Sequence, residues 1–161
     1  MTRGSVTIEI RRADGDDAVL KARALFKEYA SALGRHLSFE EFARELTDLP
    51  GEYAPPQGAL LLASCNGRLA GCVALRPLGE GACELRRLYV RHQFRGKGVG
   101  RRLSLAVIDE ARERGYRAVR LNVSPWMEEA IAINRSLGFR PIEPNRPEPP
   151  NGVMLMELAL D

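Results

Sequence analysis

Three glycines alternate with other residues in Arg95-Gly96-Lys97-Gly98-Val99-Gly100-Arg101, between an apolar segment ending at Val90 and a helical pattern opening at Val99. Glycines at this spacing let successive backbone N–H groups turn into one concavity, and a helix N-terminus adds the positive end of its dipole. Phosphate oxygens bind such a turn without a dedicated side chain. Arg95, Lys97 and Arg101 add charge suited to a polyanion such as a pyrophosphate. Two well-known phosphate motifs do not fit. No Gly-Lys is followed by Ser or Thr, which excludes the GxxxxGK(S/T) loop. The spacing is GxGxG rather than GxGxxG, and the next apolar segment, Val119-Arg120-Leu121-Asn122-Val123, ends without the acid that a dinucleotide site requires. What remains is Arg-x-x-Gly-x-Gly from Arg95 to Gly100.

The charge around this turn is local. The chain of 161 residues carries a net charge of only +3, yet Arg86, Arg87, Arg91, Arg95, Lys97, Arg101 and Arg102 follow one another with no acid between them. Such a block concentrates an anionic partner. It lacks the interleaved aromatics or recognised motif of a nucleic-acid binder, so a nucleic-acid partner is not expected. Cys65, Cys72 and Cys83 are an odd set without CxxC spacing, and His36 and His92 stand apart from any ligand cluster; neither a disulfide nor a metal is expected. Free cysteines in strands read as small buried hydrophobes of a reducing, cytoplasmic protein. No apolar run reaches the roughly 20 residues that span a bilayer, and the first residues lack a secretory h-region.

The hydrophobic pattern supplies elements to hold the turn. Alternation over 6–10 predicts a first strand, and Asp14 to Asp17 cap a helix that Gly34 ends. Ser38 with Glu41 has capping-box spacing for a second helix, carrying Phe39, Phe42 and Leu46 inward. Residues 59–63 and 69–78 flank Asn66-Gly67, the strongest two-residue hairpin signal. A strand over 83–90 runs into the glycine turn. Val99, Leu103, Val107 and Ala111 make one apolar stripe on a helix that stops at Gly115. A strand over 118–123, a helix over 127–137, a strand opening at Gly138-Phe139, a Pro-rich surface excursion over 141–150 and a closing strand over 153–158 complete one α/β (α+β) domain with a single central sheet.

With the elements in place, the stretch Glu84-Leu85-Arg86-Arg87-Leu88-Tyr89-Val90 followed by Arg95 to Arg101 resembles the coenzyme A-binding core of the GNAT superfamily of N-acetyltransferases. The resemblance extends to Glu128-Glu129-Ala130-Ile131-Ala132 and Arg135-Ser136-Leu137-Gly138-Phe139. It implies a mostly antiparallel sheet flanked by helices, with a splayed strand pair holding the cofactor. It also implies direct transfer of an acetyl group from acetyl-CoA to a primary amine within a ternary complex, without a metal. On the same ground, backbone groups of Leu88 and Val90 would meet the pantetheine, and one N–H at that level would polarise the thioester carbonyl, a large catalytic effect. The pyrophosphate would sit on Arg95, Gly96, Lys97, Gly98, Val99, Gly100 and Arg101. Glu84 becomes the candidate general base, with pairing to Arg86 or Arg87 as its plain structural alternative. By alternation Glu84, Leu88 and Val90 share one face unless a bulge intervenes.

Two positions depart from the family pattern. Many members carry a tyrosine acid five residues before the phenylalanine of Gly-Phe; here that position is Asn134, an amide able to bond the cofactor but not to deliver a proton. Met127 stands where many members have an asparagine, and Asn122 is a candidate substitute contact or a loop cap. The missing acid keeps a second class in play, a non-catalytic acyl-CoA-binding module. Acids Glu40, Glu41 and Glu45 suit either a cationic acceptor or a solvated helix face, relatives admit a homodimer, and Trp126 is read as a wall near the acceptor.

Overall fold

The computed structural model describes residues 6–33, 39–124, 127–142 and 153–160. Strands β1 (Ile8–Arg12), β2 (Ala59–Cys65), β3 (Arg68–Gly79), β4 (Ala82–Val90), β5 (Ala118–Val123), β6 (Arg140–Pro141) and β7 (Met154–Ala159) form one sheet in the order β1-β2-β3-β4-β5-β7-β6. Helices α1 (Asp16–Leu33), α2 (Phe39–Asp48), α3 (Val99–Glu113) and α4 (Glu128–Ser136) flank it. Every pairing is antiparallel except β4 with β5. The expected α/β architecture with a mostly antiparallel sheet is therefore observed.

Each face of the sheet has its own core. One buries the α3 stripe Val99, Leu103, Val107 and Ala111 against Val73, Leu85, Val119, Leu121 and Met156. The other packs Ala22, Leu25 and Phe26 of α1 and Phe42 of α2 on Leu60, Cys72, Ala74 and Tyr53. Cys65, Cys72 and Cys83 are free and buried, as small hydrophobes are. Burial pushes the Cys83 thiol up to about 12 and the Cys72 thiol up further, so both stay neutral.

Local chemistry explains most boundaries. Asn66 and Gly67 both adopt positive φ, +52° and +82°, the two-residue turn that matches strand twist. The first strand begins two residues later than its alternation predicts and ends at Arg12, because Arg11 and Arg12 continue the ladder to Leu62 and Leu61. Arg12 also donates to Glu110 of α3 at 3.0 Å. The strand expected at Gly138-Phe139 reduces to the two-residue β6 pairing with β7. The Gly34 stop, the Ser38 cap, Phe39's side chain, His36, Trp126 and most of the Pro-rich excursion lie outside the described residues.

One irregularity decides the geometry of the site. Between Cys72↔Tyr89 and Ala74↔Arg86, two β4 residues oppose the single Val73, with Arg87 at φ +59°. This bulge reverses the side-chain alternation. Leu85, Leu88 and Val90 pack on the α3 side, whereas Tyr89 packs on the α1 side and Arg86 and Arg87 reach Glu45 of α2. Glu84 thus does not share a face with Leu88 and Val90; the bulge has intervened. Gly71 of β3 pairs with Val90 beside it, and a Cβ there would collide with the Tyr89 carbonyl.

Candidate active site

The parallel pair β4–β5 stays together for three residues only, Ala82↔Ala118, Cys83↔Val119 and Glu84↔Arg120. Beyond Glu84 the strands part, and β5 pairs along its whole length with β7 on its other side. The wedge between them is a cleft of about 260 Å³ whose walls include Glu84, Leu88, Leu121, Asn122, Met127 and Asn134. Four residues scattered over 84–134 in the sequence are thus brought together: Glu84, Leu88, Asn122 and Asn134.

Glu84 sits at the apex, 6% exposed. Arg76 of β3 donates to its Oε1 at 2.6 Å, and Asn122 Nδ2 donates across the gap to its Oε2 at 3.0 Å. Arg86 forms a longer ion pair with Glu84 Oε1, at 3.6 Å, as the plain structural alternative expected, whereas Arg87 pairs with Glu45. Arg76 is in turn held by Glu52 at 3.0 Å. Both Glu84 oxygens are therefore aimed by charge-assisted or amide hydrogen bonds, which fix its rotamer. Arg76 was not singled out from sequence. Counting outward from the Glu80-Gly81 turn would pair Pro77 with Glu84; a register shift between Pro77 and Gly79 brings Arg76 opposite it instead.

Asn134 is buried at 4% exposure, and its Oδ1 has no hydrogen-bond partner among the described residues. Burying an amide oxygen without a partner costs about 1–3 kcal/mol, so such an atom in a cleft wall calls for a donor from a ligand. Asn122 faces Glu84 instead, across the gap next to the apex.

The glycine turn follows β4. Phe94 anchors a 3-10 turn, His92–Phe94, in the core, while His92, Arg95, Gly96, Lys97 and Gly98 stay exposed. Gly96 and Gly98 have φ of +77° and +86°, and a Cβ at either would meet nothing within 4 Å. Conformation, then, and not crowding, demands glycine at both. Gly98 is the N-cap of α3 and supplies no side-chain hydrogen bond, and α3 has no acid in its first turn, unlike α1, α2 and α4. Arg101 and Arg102 stand there instead, against the helix dipole, an arrangement that favours an anion at this end. Two predicted ligands are engaged within the protein. Arg95 Nε donates to the Val90 carbonyl at 3.0 Å, and Arg101 donates to Ser136 Oγ of α4 at 2.7 Å. Among the described residues no group of three His, Cys, Asp or Glu side chains could hold a metal, and no helix is long and apolar enough to cross a membrane.

A largely antiparallel sheet opened at one parallel pair, with a glycine turn leading into a helix beside the opening, is the arrangement that the resemblance implied. The acetyltransferase (GNAT) family profile matches residues 21–139, and the chain belongs to that family of acyl-CoA-dependent N-acyltransferases. It is 34% identical over 140 residues to an uncharacterised N-acetyltransferase of Schizosaccharomyces pombe, covering 86% of each chain. Its fold is similar to a GNAT-family acetyltransferase of Staphylococcus aureus, with a TM-score of 0.79 at 17% identity over 96% of this chain and 100% of that one. It is also similar to the PaiA N-acetyltransferase of Thermoplasma acidophilum solved with coenzyme A, with a TM-score of 0.69 at 19% identity, covering 96% and 99%.

Proposed function

We propose that this chain, acting as one domain, moves an acetyl group from acetyl-CoA to a primary amine by direct attack in a ternary complex. The observation that carries the reading is the wedge between β4 and β5, with an aimed carboxylate at its apex and an unpaired amide oxygen in its wall. The coenzyme A bound by the Thermoplasma neighbour supports the same donor here. Bound there, acetyl-CoA supplies a thioester whose C–S bond breaks as the amine N–C bond forms.

The residues present suit that donor. Backbone N–H groups of 96–101, at an uncapped helix start with no Cβ in the way at Gly96 and Gly98, hold the pyrophosphate, and Lys97 adds charge. Leu88 and Val90 line the pantetheine path by their backbone, and Asn134 Oδ1 accepts a hydrogen bond from it. Arg95 releases the Val90 carbonyl, and Arg101 releases Ser136, when each turns toward phosphate. Asn122 orients Glu84 rather than contacting the donor.

Glu84 takes the ammonium proton of the acceptor, directly or through one water, so that a neutral amine attacks. With Asn134 in place of an acid, the departing thiolate draws its proton from solvent, which a thiol pKa near ~8.5 tolerates. The test is release of free thiol from acetyl-CoA against a panel of amines. Amine-dependent release supports the reading. Thermal stabilisation by coenzyme A with no release for any amine would reduce the chain to a binding module.

A further inference from the structure

A second cavity, of about 560 Å³, lies on the α2 side of the sheet and shares the wall residues Arg76, Arg86 and Arg87 with the β4–β5 cleft. Three guanidiniums in one wall are unusual, and the structure treats them differently. Arg87 makes a fork on Glu45, at 2.7 and 2.8 Å, and its side chain is only 8% exposed. Arg76 is committed to Glu84 and Glu52, at 2.6 and 3.0 Å. Arg86 is held more loosely: it forms two long ion pairs, with Glu84 at 3.6 Å and Glu45 at 3.7 Å, and among the described residues its one hydrogen bond is a long one, 3.4 Å, to the Tyr53 hydroxyl.

The shortage is built in. The Glu84 oxygens already accept from Arg76 and Asn122, and both Glu45 oxygens accept from Arg87. The bulge at Arg87 is what turns two consecutive arginines to the same face, and Glu45 accepts a short fork from only one of them. A guanidinium is a five-donor group without acceptor capacity, and its planar fork matches a carboxylate. Arg86 is 22% exposed at its side chain, so water does not fully replace a missing partner.

We infer that Arg86 is the anchor for a carboxylate of the acceptor, which makes the substrate class of this acetyltransferase a small amino acid rather than a simple amine. The inference rests on the acetyl-transfer reading and names the acceptor of that same site. With its carboxylate forked on Arg86, an acceptor places an amine one or two carbons away beside Glu84, the group assigned to take its proton. The rest of the cavity selects further. Glu41 and Asp48 of α2 line it without an ion pair among the described residues. Their charge favours a cationic over an anionic side chain, so basic amino acids fit better than acidic ones.

The test compares kcat/KM for neutral and basic amino acids with that for their carboxamides and their decarboxylated amines, by thiol release from acetyl-CoA. A charged hydrogen-bonded contact predicts a preference for the free carboxylate of roughly ten- to hundredfold, expressed mainly in KM. In Arg86→Met, checked for folding by its thermal melt, the ratio of the two kcat/KM values falls toward one. Arg86→Lys, which keeps charge but loses the fork, restores part of it. Equal or better turnover of the decarboxylated amine by the wild type overturns the inference while leaving acetyl transfer intact, as does an undiminished preference in Arg86→Met. Absence of turnover with every amine overturns both readings together. Should Arg86→Met not fold, the wild-type comparison decides alone.

Discussion

Gly98→Ala and Gly100→Ala change one hydrogen into one methyl two residues apart, and they should act in opposite directions. Gly98 sits at φ +86°, ψ 9°, in the left-handed region, where a Cβ costs about 1–2 kcal/mol. No atom lies within 4 Å of that added Cβ, so no packing gain offsets the strain. Gly100 is already inside α3, and its Cβ would lie 3.7 Å from Val90 Cγ2, an ordinary contact. Alanine there gains up to about 1 kcal/mol of helix propensity. The two variants should therefore differ by roughly 1–3 kcal/mol, and at about 2–4 °C per kcal/mol for a chain of this size their melting temperatures should differ by roughly 2–12 °C. Titration calorimetry with coenzyme A adds the functional half. If the turn amides hold the pyrophosphate, Gly98→Ala weakens binding at least tenfold as the loop leaves its left-handed path, and Gly100→Ala keeps it. A Gly98→Ala variant as stable as wild type and binding coenzyme A equally well would refute the assignment of the turn.

Further outcomes follow from the buried polar groups. Burial pushes the Glu45 carboxyl up, but the Arg87 fork and the charges of Arg87 and Arg86 outweigh it and hold the group below its ordinary value. A depressed carboxyl stabilises the fold above its unfolded pKa, about 4.3, and that contribution is lost as pH falls through the lower folded value. Glu45→Gln should thus melt lower than wild type at pH 7 and lose less on acidification below about pH 4, as followed by melting temperature against pH. Arg87→Met leaves the half-buried Glu45 with Arg86 alone, 3.7 Å away, and should cost about 1–3 kcal/mol in denaturant unfolding. Asn134→Leu removes the unpaired Oδ1 from the cleft wall; the free protein should gain about 1 kcal/mol while coenzyme A binding weakens, a pair of signs that simple packing damage would not produce.

How much of this was legible in the sequence depended on whether the cause was local. The α3 stripe was legible because four-residue spacing alone places Val99, Leu103, Val107 and Ala111 in the core, where all are at most 1% exposed. The Asn66-Gly67 turn and the Gly96 and Gly98 conformations were legible because backbone freedom is written in the residue type. The bulge was not: arginine has no preference for φ +59°, and Arg87 adopts it because Glu45 of α2 and the ladder to β3 hold it there. From that miss came the others. Alternation predicted Glu84 on the face of Leu88 and Val90; of the two arginines offered as its structural partner only Arg86 pairs, at 3.6 Å, and the shorter contact, from Arg76, comes from strand register. The unpaired Asn134 oxygen was a departure from a pattern in the sequence, and only the packing of α4 against the cleft made it an orphan.

The central claim is that Glu84, at the apex of the β4–β5 wedge, removes the acceptor's proton. It is tested most directly by the pH dependence of thiol release for wild type and Glu84→Gln at saturating acetyl-CoA, with one acceptor throughout. Loss of a positioned base should lower the rate at pH 7 by about a hundredfold or more. The gap should close as pH rises and the free amine becomes abundant without help. Parallel profiles offset by a constant factor, or equal rates at pH 7, would contradict the account.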